Sequence, residues 1–202
     1  AYAVFERLPL EEFGDRLPQL TFEVVRTVEP LEEMVRAVTI IPGAGEFVYE
    51  PAEVTWTVRP GVSERANRHV SHAPSNWSAS IDELQALCPN LEQVALVTAW
   101  FGDDLRAGHC TIRPKVETRG RQTRGATWRV AGLSGAVAEE VSRHEGLPAY
   151  GGTPSDASVV RAIRDLKARG LKVALYPFLL MDVPPGNALP DPYGGAEQAP
   201  HP

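Results

Sequence analysis

The stretch GGTPSDASVVRAIRDLKARGLKVALYPFLLMD, Gly151 to Asp182, holds a helix, a stop, an apolar strand and an acid, in that order. Thr153 is placed to cap. Pro154 takes the first helical position, where a missing N–H costs nothing, and Asp156 completes a capping box near the positive helix end. Val159, Ile163 and Leu166 follow at i, i+4, i+7 and predict the buried stripe. Asp165 and Arg169 stand four apart, the spacing of a surface ion pair. Gly170 predicts a left-handed C-terminal cap. Leu171–Leu180 is apolar on both faces, the pattern of a parallel strand covered by helices. Asp182 stands at its end.

The same plan occurs once before. In SIDELQALCPN, Ser80 and Glu83 form a second capping box. Ile81, Leu84 and Cys88 share a helical face, and Pro89 stops the helix. VALVTAWF, Val94 to Phe101, is a continuous apolar strand, followed by Gly102, Asp103 and Asp104. Two copies of helix, stop, buried strand and acid predict an α/β fold with parallel strands. Between them, WRVAGLSGAVAEEV (Trp128–Val141) predicts a short strand turning into a helix, with Ser134 near its cap. The stretch Arg113–Arg124 holds Lys115, Arg119, Arg121 and Arg124. It reads as a solvated loop, with an anion site as the alternative, and it lacks aromatic interleaving.

Upstream, Phe13-Gly14-Asp15-Arg16 is a turn before the extended segment QLTFEVVR. A short helix is predicted over Leu31–Val38, opened by Pro30. FVYEPAEVTWTV shows partial period-2 alternation, consistent with a strand pair. Residues 61–79 are polar and read as loop.

The 202 residues are 43% hydrophobic, enough for a sizeable core. Acidic side chains outnumber basic ones, 26 to 20, for a formal charge of -6. That balance excludes a general nucleic-acid binder. No apolar run approaches the roughly 18 residues of a spanning helix, and no signal-peptide pattern is present. Synthesis in the cytoplasm is expected. Cys88 and Cys110 form no disulfide framework and read as reduced thiols. The first and last segments have the look of cuts. AYAVFERLPL starts inside an apolar extended segment, and DPYGGAEQAPHP is a loop just after a strand that should have neighbours on both sides.

Catalytic acids in barrel enzymes stand at the carboxyl ends of strands. The candidates are therefore Asp103, Asp104 and Asp182, with Trp100 and Tyr176 as an aromatic platform for a sugar. The plainer account is also open: an Asp after a strand is a routine turn residue, and Trp and Tyr in strands pack. GAGEFV (Gly43–Val48) lacks the third glycine of a dinucleotide fingerprint, and GLSG is no nucleophile elbow. His69, His72 and the His109–Cys110 pair lack metal-ligand spacing, so no metal or other cofactor is expected.

FGDRLPQLTFEVVR (Phe13–Arg26) resembles a segment that recurs in phage-tail hub proteins. MVRAVTIIPGAGEF (Met34–Phe47), LCPNLEQVALVTAWFGDDLRAGHCTIRPKVE (Leu87–Glu117) and AYGGTPSDASVVRAIRDLKARGLKVALYPFLLMDVPPGN (Ala149–Asn187) resemble the megatron-type baseplate multidomain protein of alphaproteobacterial gene transfer agents and related phages. That family carries a glycoside-hydrolase-like TIM-barrel domain.

The resemblance implies a β-rich hub segment over 1–30 and a connecting region over 31–79. It implies the beginning of a (β/α)8 TIM-like barrel over 80–202, incomplete because a whole barrel takes about 250 residues. It implies a structural and host-interaction component of a tail baseplate. The expected partners are other hub proteins, further copies of this chain and a cell-surface glycan, in a particle assembled in the cytoplasm and released. The alternatives are an active glycoside hydrolase acting on envelope polysaccharide or peptidoglycan, and a stand-alone cytoplasmic α/β protein. The resemblance transfers no catalytic residues.

Overall fold

A computed structural model of the chain describes residues 30–43 and 45–200. The hub-like segment expected over 1–30 lies, but for Pro30, outside the described residues.

Helix α1 (Pro30–Met34) leads into strand β1 (Ala37–Ile40), and β2 (Thr55–Arg59) and β3 (Val62–Arg65) form a hairpin. Helix α2 (Asn76–Leu87) then feeds the long strand β4 (Gln93–Gly102). Eight two-residue strands follow: β5 (Ile112–Arg113), β6 (Lys115–Val116), β7 (Thr123–Arg124), β8 (Arg129–Val130), β9 (Leu133–Ser134), β10 (Glu139–Glu140), β11 (Arg143–His144) and β12 (Leu147–Pro148). Helix α3 (Asp156–Ala168) and strand β13 (Lys172–Met181) come last.

Two regions result. In the first, β1, β4 and β13 lie side by side in parallel, with β4 central. Val38 and Val173 are both in register with Val94, and Ile40 with Leu96, so these residues share one face. That face packs against Trp77 and Ile81 of α2 and Ala162 and Leu166 of α3. Val159 and Ile163 join the same cluster, as their spacing predicts. Gly170 takes φ +83 at the end of α3, and Asp165 meets Arg169 at 3.1 Å.

The second region joins the chain between β4 and α3 to the β2–β3 hairpin and the segment before it, through the pairing of β2 with β7. It folds as small ladders around a separate core of Phe47, Val54, Val116, Trp128, Val130 and Ala138.

The (β/α)8 expectation is overturned. Among the described residues there are three helices and one three-stranded parallel path, and the rest of the strands form short ladders. The decisive local departure lies at Trp128–Val141. Ala131 and Gly132 both adopt positive φ (+48 and +84) and turn β8 back onto β9 as a tight hairpin, so no helix starts at Ser134.

Smaller departures have similar causes. α1 stops at Met34 because the β-branched pair Val38 and Thr39 extends beside β4. α2 begins at Asn76, four residues before Ser80, capped by Ser75, whose Oγ accepts from the Ser78 N–H at 3.2 Å. The boundary at residue 80 thus falls inside α2. In α3, Thr153 does not cap. Its Oγ1 accepts from the Lys115 N–H, its carbonyl accepts from Trp128 Nε1, and Asp156 accepts from the Ala131 N–H. These residues tie the ladder region to the start of α3.

β13 is also not covered on both faces. Among the described residues it pairs with β4 alone, and Leu175, Tyr176 and Leu179 are each about half exposed or more. Pro177, which has no N–H to give a second neighbour, suits this edge position.

Candidate functional site

The carboxyl ends of β4 and β13 lie side by side. Met181 is in register with Gly102, and the Asp182 N–H donates to the Gly102 carbonyl at 2.9 Å. The expected acids therefore do gather at one end of the sheet. Each carboxylate is engaged by its own set of partners.

Asp103 Oδ1 accepts from the Thr111 N–H at 2.7 Å, closing the loop after β4. Asp104, buried, accepts from the Arg106 N–H, from Arg106 Nε and Nη2, and from Gln198 Nε2. The Arg106 guanidinium holds its carboxyl well below the usual carboxylate range, with help from Gln198. An acid in that state holds no proton to donate near neutral pH. Gln198 is fully buried and also accepts from the Leu105 N–H, so this network anchors the chain's later loop to the end of β4.

Asp182 is 1% exposed. Its Oδ2 meets Lys115 Nζ at 2.8 Å, and both its oxygens accept from the Ser142 N–H at 3.1 Å. Beside it, Tyr150 donates to the Met181 carbonyl. Burial raises the Tyr150 phenol above its ordinary value, and the Asp182 charge adds to this. Lys115, expected in a solvated loop, is buried instead.

The two aromatics do not form one platform. Paired residues on parallel strands share a face, and Trp100 pairs with Leu179. Tyr176, three residues earlier on β13, belongs to the other face. There it meets Phe178 edge-on, with ring centroids 4.9 Å apart. Trp100 sits in a shallow apolar hollow with Ile112, Pro177 and Leu179.

On the sheet face turned away from α2 and α3, Val97, Ala99, Phe101, Phe178 and Leu180 line an apolar bowl of about 140 Å³, with Tyr150 at its wall. A larger cavity, about 470 Å³, opens between the end of β1 and α2, where His69, Asn76 and Ser80 edge an apolar lining that includes Ile40, Trp77 and Ile81. His69 Nδ1 is bonded to the Asn76 amide at 2.7 Å, and the Asn76 carbonyl accepts from the His69 N–H.

A second group of buried charges escaped sequence reasoning. Glu46 is 3% and Glu117 8% exposed, and Arg121 reaches both. The only sequence hint is alternation: Lys115 and Glu117 flank Val116, and all three are buried. Gly152 marks the same place, since a Cβ there would meet Glu46 Cγ at 3.2 Å and the Glu117 nitrogen at 3.3 Å.

Among the described residues no group of three His, Cys, Asp or Glu is placed to hold a metal ion, and Cys88 and Cys110 are free. No helix among them is long and apolar enough to cross a membrane. Comparison with protein-family models and with curated proteins gives no match.

Proposed function

We propose that this chain is a structural and host-interaction component of a phage-like tail baseplate of the gene transfer agent type, working by binding and not by catalysis. The resemblance of its longest sequence strings supplies the baseplate. The observation that carries the non-catalytic half is the state of the acids. Asp103 is spent on a loop, Asp104 is clamped by Arg106 and Gln198, and Asp182 is sealed against Lys115. A glycosidase needs one carboxyl that carries a proton and a second facing the same bond. None of these three is presented that way.

The apolar edge of β13 supports an assembly role, because an exposed strand edge is a natural place for pairing with another chain. Other hub proteins, further copies of this chain and a cell-surface glycan are the proposed partners, in a released particle.

The test is mass spectrometry of purified phage-like particles from the source cells, together with a reducing-end assay on host envelope. The expected result is peptides of this chain in the particles and no sugar release. Peptides confined to the cell lysate would overturn the baseplate half. Sugar release that disappears in Asp104→Asn or Asp182→Asn would overturn the non-catalytic half.

A further inference from the structure

Glu46 stands where three segments meet. Its carbonyl accepts from the Ser155 N–H before α3, the neighbouring Gly45 N–H donates to the Gly151 carbonyl, and its Oε1 accepts from the Glu117 N–H at 2.7 Å. Its other oxygen, Oε2, is buried without a hydrogen-bond partner. The nearest cation is Arg121, whose Nη1 lies 3.8 Å from that oxygen but 3.3 Å from Glu117 Oε2. Arg121 is itself held in place, its guanidinium stacked over Trp56 at 3.8 Å.

Two carboxylates thus share one guanidinium in a closed space, which leaves one excess negative charge. Glu46 lines a small cavity of about 20 Å³ whose other walls include Phe47, Val116 and Trp128. Glu46 and Arg121 are the charged groups on that wall, and Glu117 joins them through its contact with Arg121 and its N–H bond to Glu46. A buried oxygen with no donor and a like charge beside it is most stable when it carries a proton. Burial pushes the Glu46 carboxyl up from its ordinary 4.5, and the Glu117 charge adds to that.

We propose that Glu46, Glu117 and Arg121 form a proton-operated latch between the ladder region and the helix-backed sheet. Closed, it holds one proton on Glu46. When that proton leaves, the second negative charge opposes Glu117 and loosens the seam at the Glu117 N–H and the Gly151–Ser155 segment. The sign follows from linkage. A carboxyl that binds its proton more tightly in the folded state contributes stability that is complete below its unfolded value. That stability is lost as the pH rises through the folded one. This reading is independent of the tail assignment.

The experiment uses the whole chain as wild type, Glu46→Gln and Glu117→Gln, melted across about pH 4.5 to about pH 8. Glutamine keeps the bond to the Glu117 N–H and cannot ionise. The expected result is that wild type loses about 2–4 °C or more of melting temperature relative to Glu46→Gln as the pH rises. Parallel curves would overturn the latch.

Carboxyl-carbon NMR of wild type and Glu117→Gln keeps the test open if Glu46→Gln does not fold. Glu46 should titrate above the ordinary glutamate range in wild type and move down once the Glu117 charge is gone. An ordinary titration in wild type, or no movement in Glu117→Gln, would overturn it. A merely structural Glu46 would leave both readouts unmoved.

Discussion

The helix-backed sheet and the ladder region are held together by different means, although they share strands and a boundary. The sheet core is hydrocarbon: Val94 and Leu96 meet Ile81, Ala162 and Leu166, each of them 2% exposed or less. The ladder region has too few residues per strand to build such a stripe. It closes around Trp128 and Val130 and is pinned by buried charges: Lys115 on Asp182 and Arg121 between Glu46 and Glu117. Apolar packing tolerates small errors of position, whereas a buried charge must find its partner or be left at high cost. The ladder region should therefore be the more specific and the more brittle of the two.

The largest effect should come from breaking a pin. Lys115→Met keeps most of the side chain's volume and leaves Asp182 buried without its cation. The expected loss is about 3–5 kcal/mol in urea unfolding. Changing both partners, Lys115→Met with Asp182→Leu, should cost less than the single change, because the pair's desolvation penalty goes with it. If the double variant is the worse of the two, Asp182 contributes something other than a seal. A binding role at the strand ends would then regain ground.

A smaller, more local loss is expected in the sheet core. Leu166 is fully buried between α3 and the sheet. Leu166→Ala should cost about 2–3 kcal/mol, toward the low end for Leu→Ala if α3 settles onto the gap. Hydrogen exchange sharpens the comparison. Protection should fall across α3, β4 and β13 while the Val130–Leu133 hairpin keeps its own. Equal losses in both regions would mean that they unfold as one unit and that the contrast in their packing has no consequence for stability.

The same contrast explains what was legible in the sequence. Period and run length reveal apolar elements, so Val159, Ile163 and Leu166, the long strand Val94–Phe101 and Gly170 could all be read from spacing. Neither the Ala131-Gly132 hairpin nor the salt bridge from Lys115 to Asp182, 67 residues away, leaves any such trace. A buried lysine in a polar stretch is indistinguishable from a solvated one until the fold places its partner. The two strand–acid repeats were real, and the acids do sit at strand ends. What they do there is decided by Arg106, Gln198, Ser142 and Lys115, none of which a strand-end motif includes. Reading Leu171–Leu180 as buried on both faces failed for a related reason. Composition shows that a strand is apolar, but not whether anything lies beyond its edge.

That edge yields the smallest effect on stability. Tyr176 and Leu179 lie on opposite faces of β13, each 51% exposed. Serine at either position should change the unfolding free energy by no more than about 1–1.5 kcal/mol, because only about half of each side chain leaves water on folding. If the apolar edge is where this chain meets the baseplate, the same substitutions should sharply reduce its incorporation into particles while the isolated chain melts as before. Leu175→Ser, on the same row as Leu179, should act with Leu179→Ser, whereas Tyr176→Ser reports on the face that carries the Phe101 and Phe178 bowl. Loss from one row alone would say which side of the edge the neighbouring chain covers. Unchanged incorporation in all three would move the assembly surface away from β13 and leave its exposed leucines without a structural purpose.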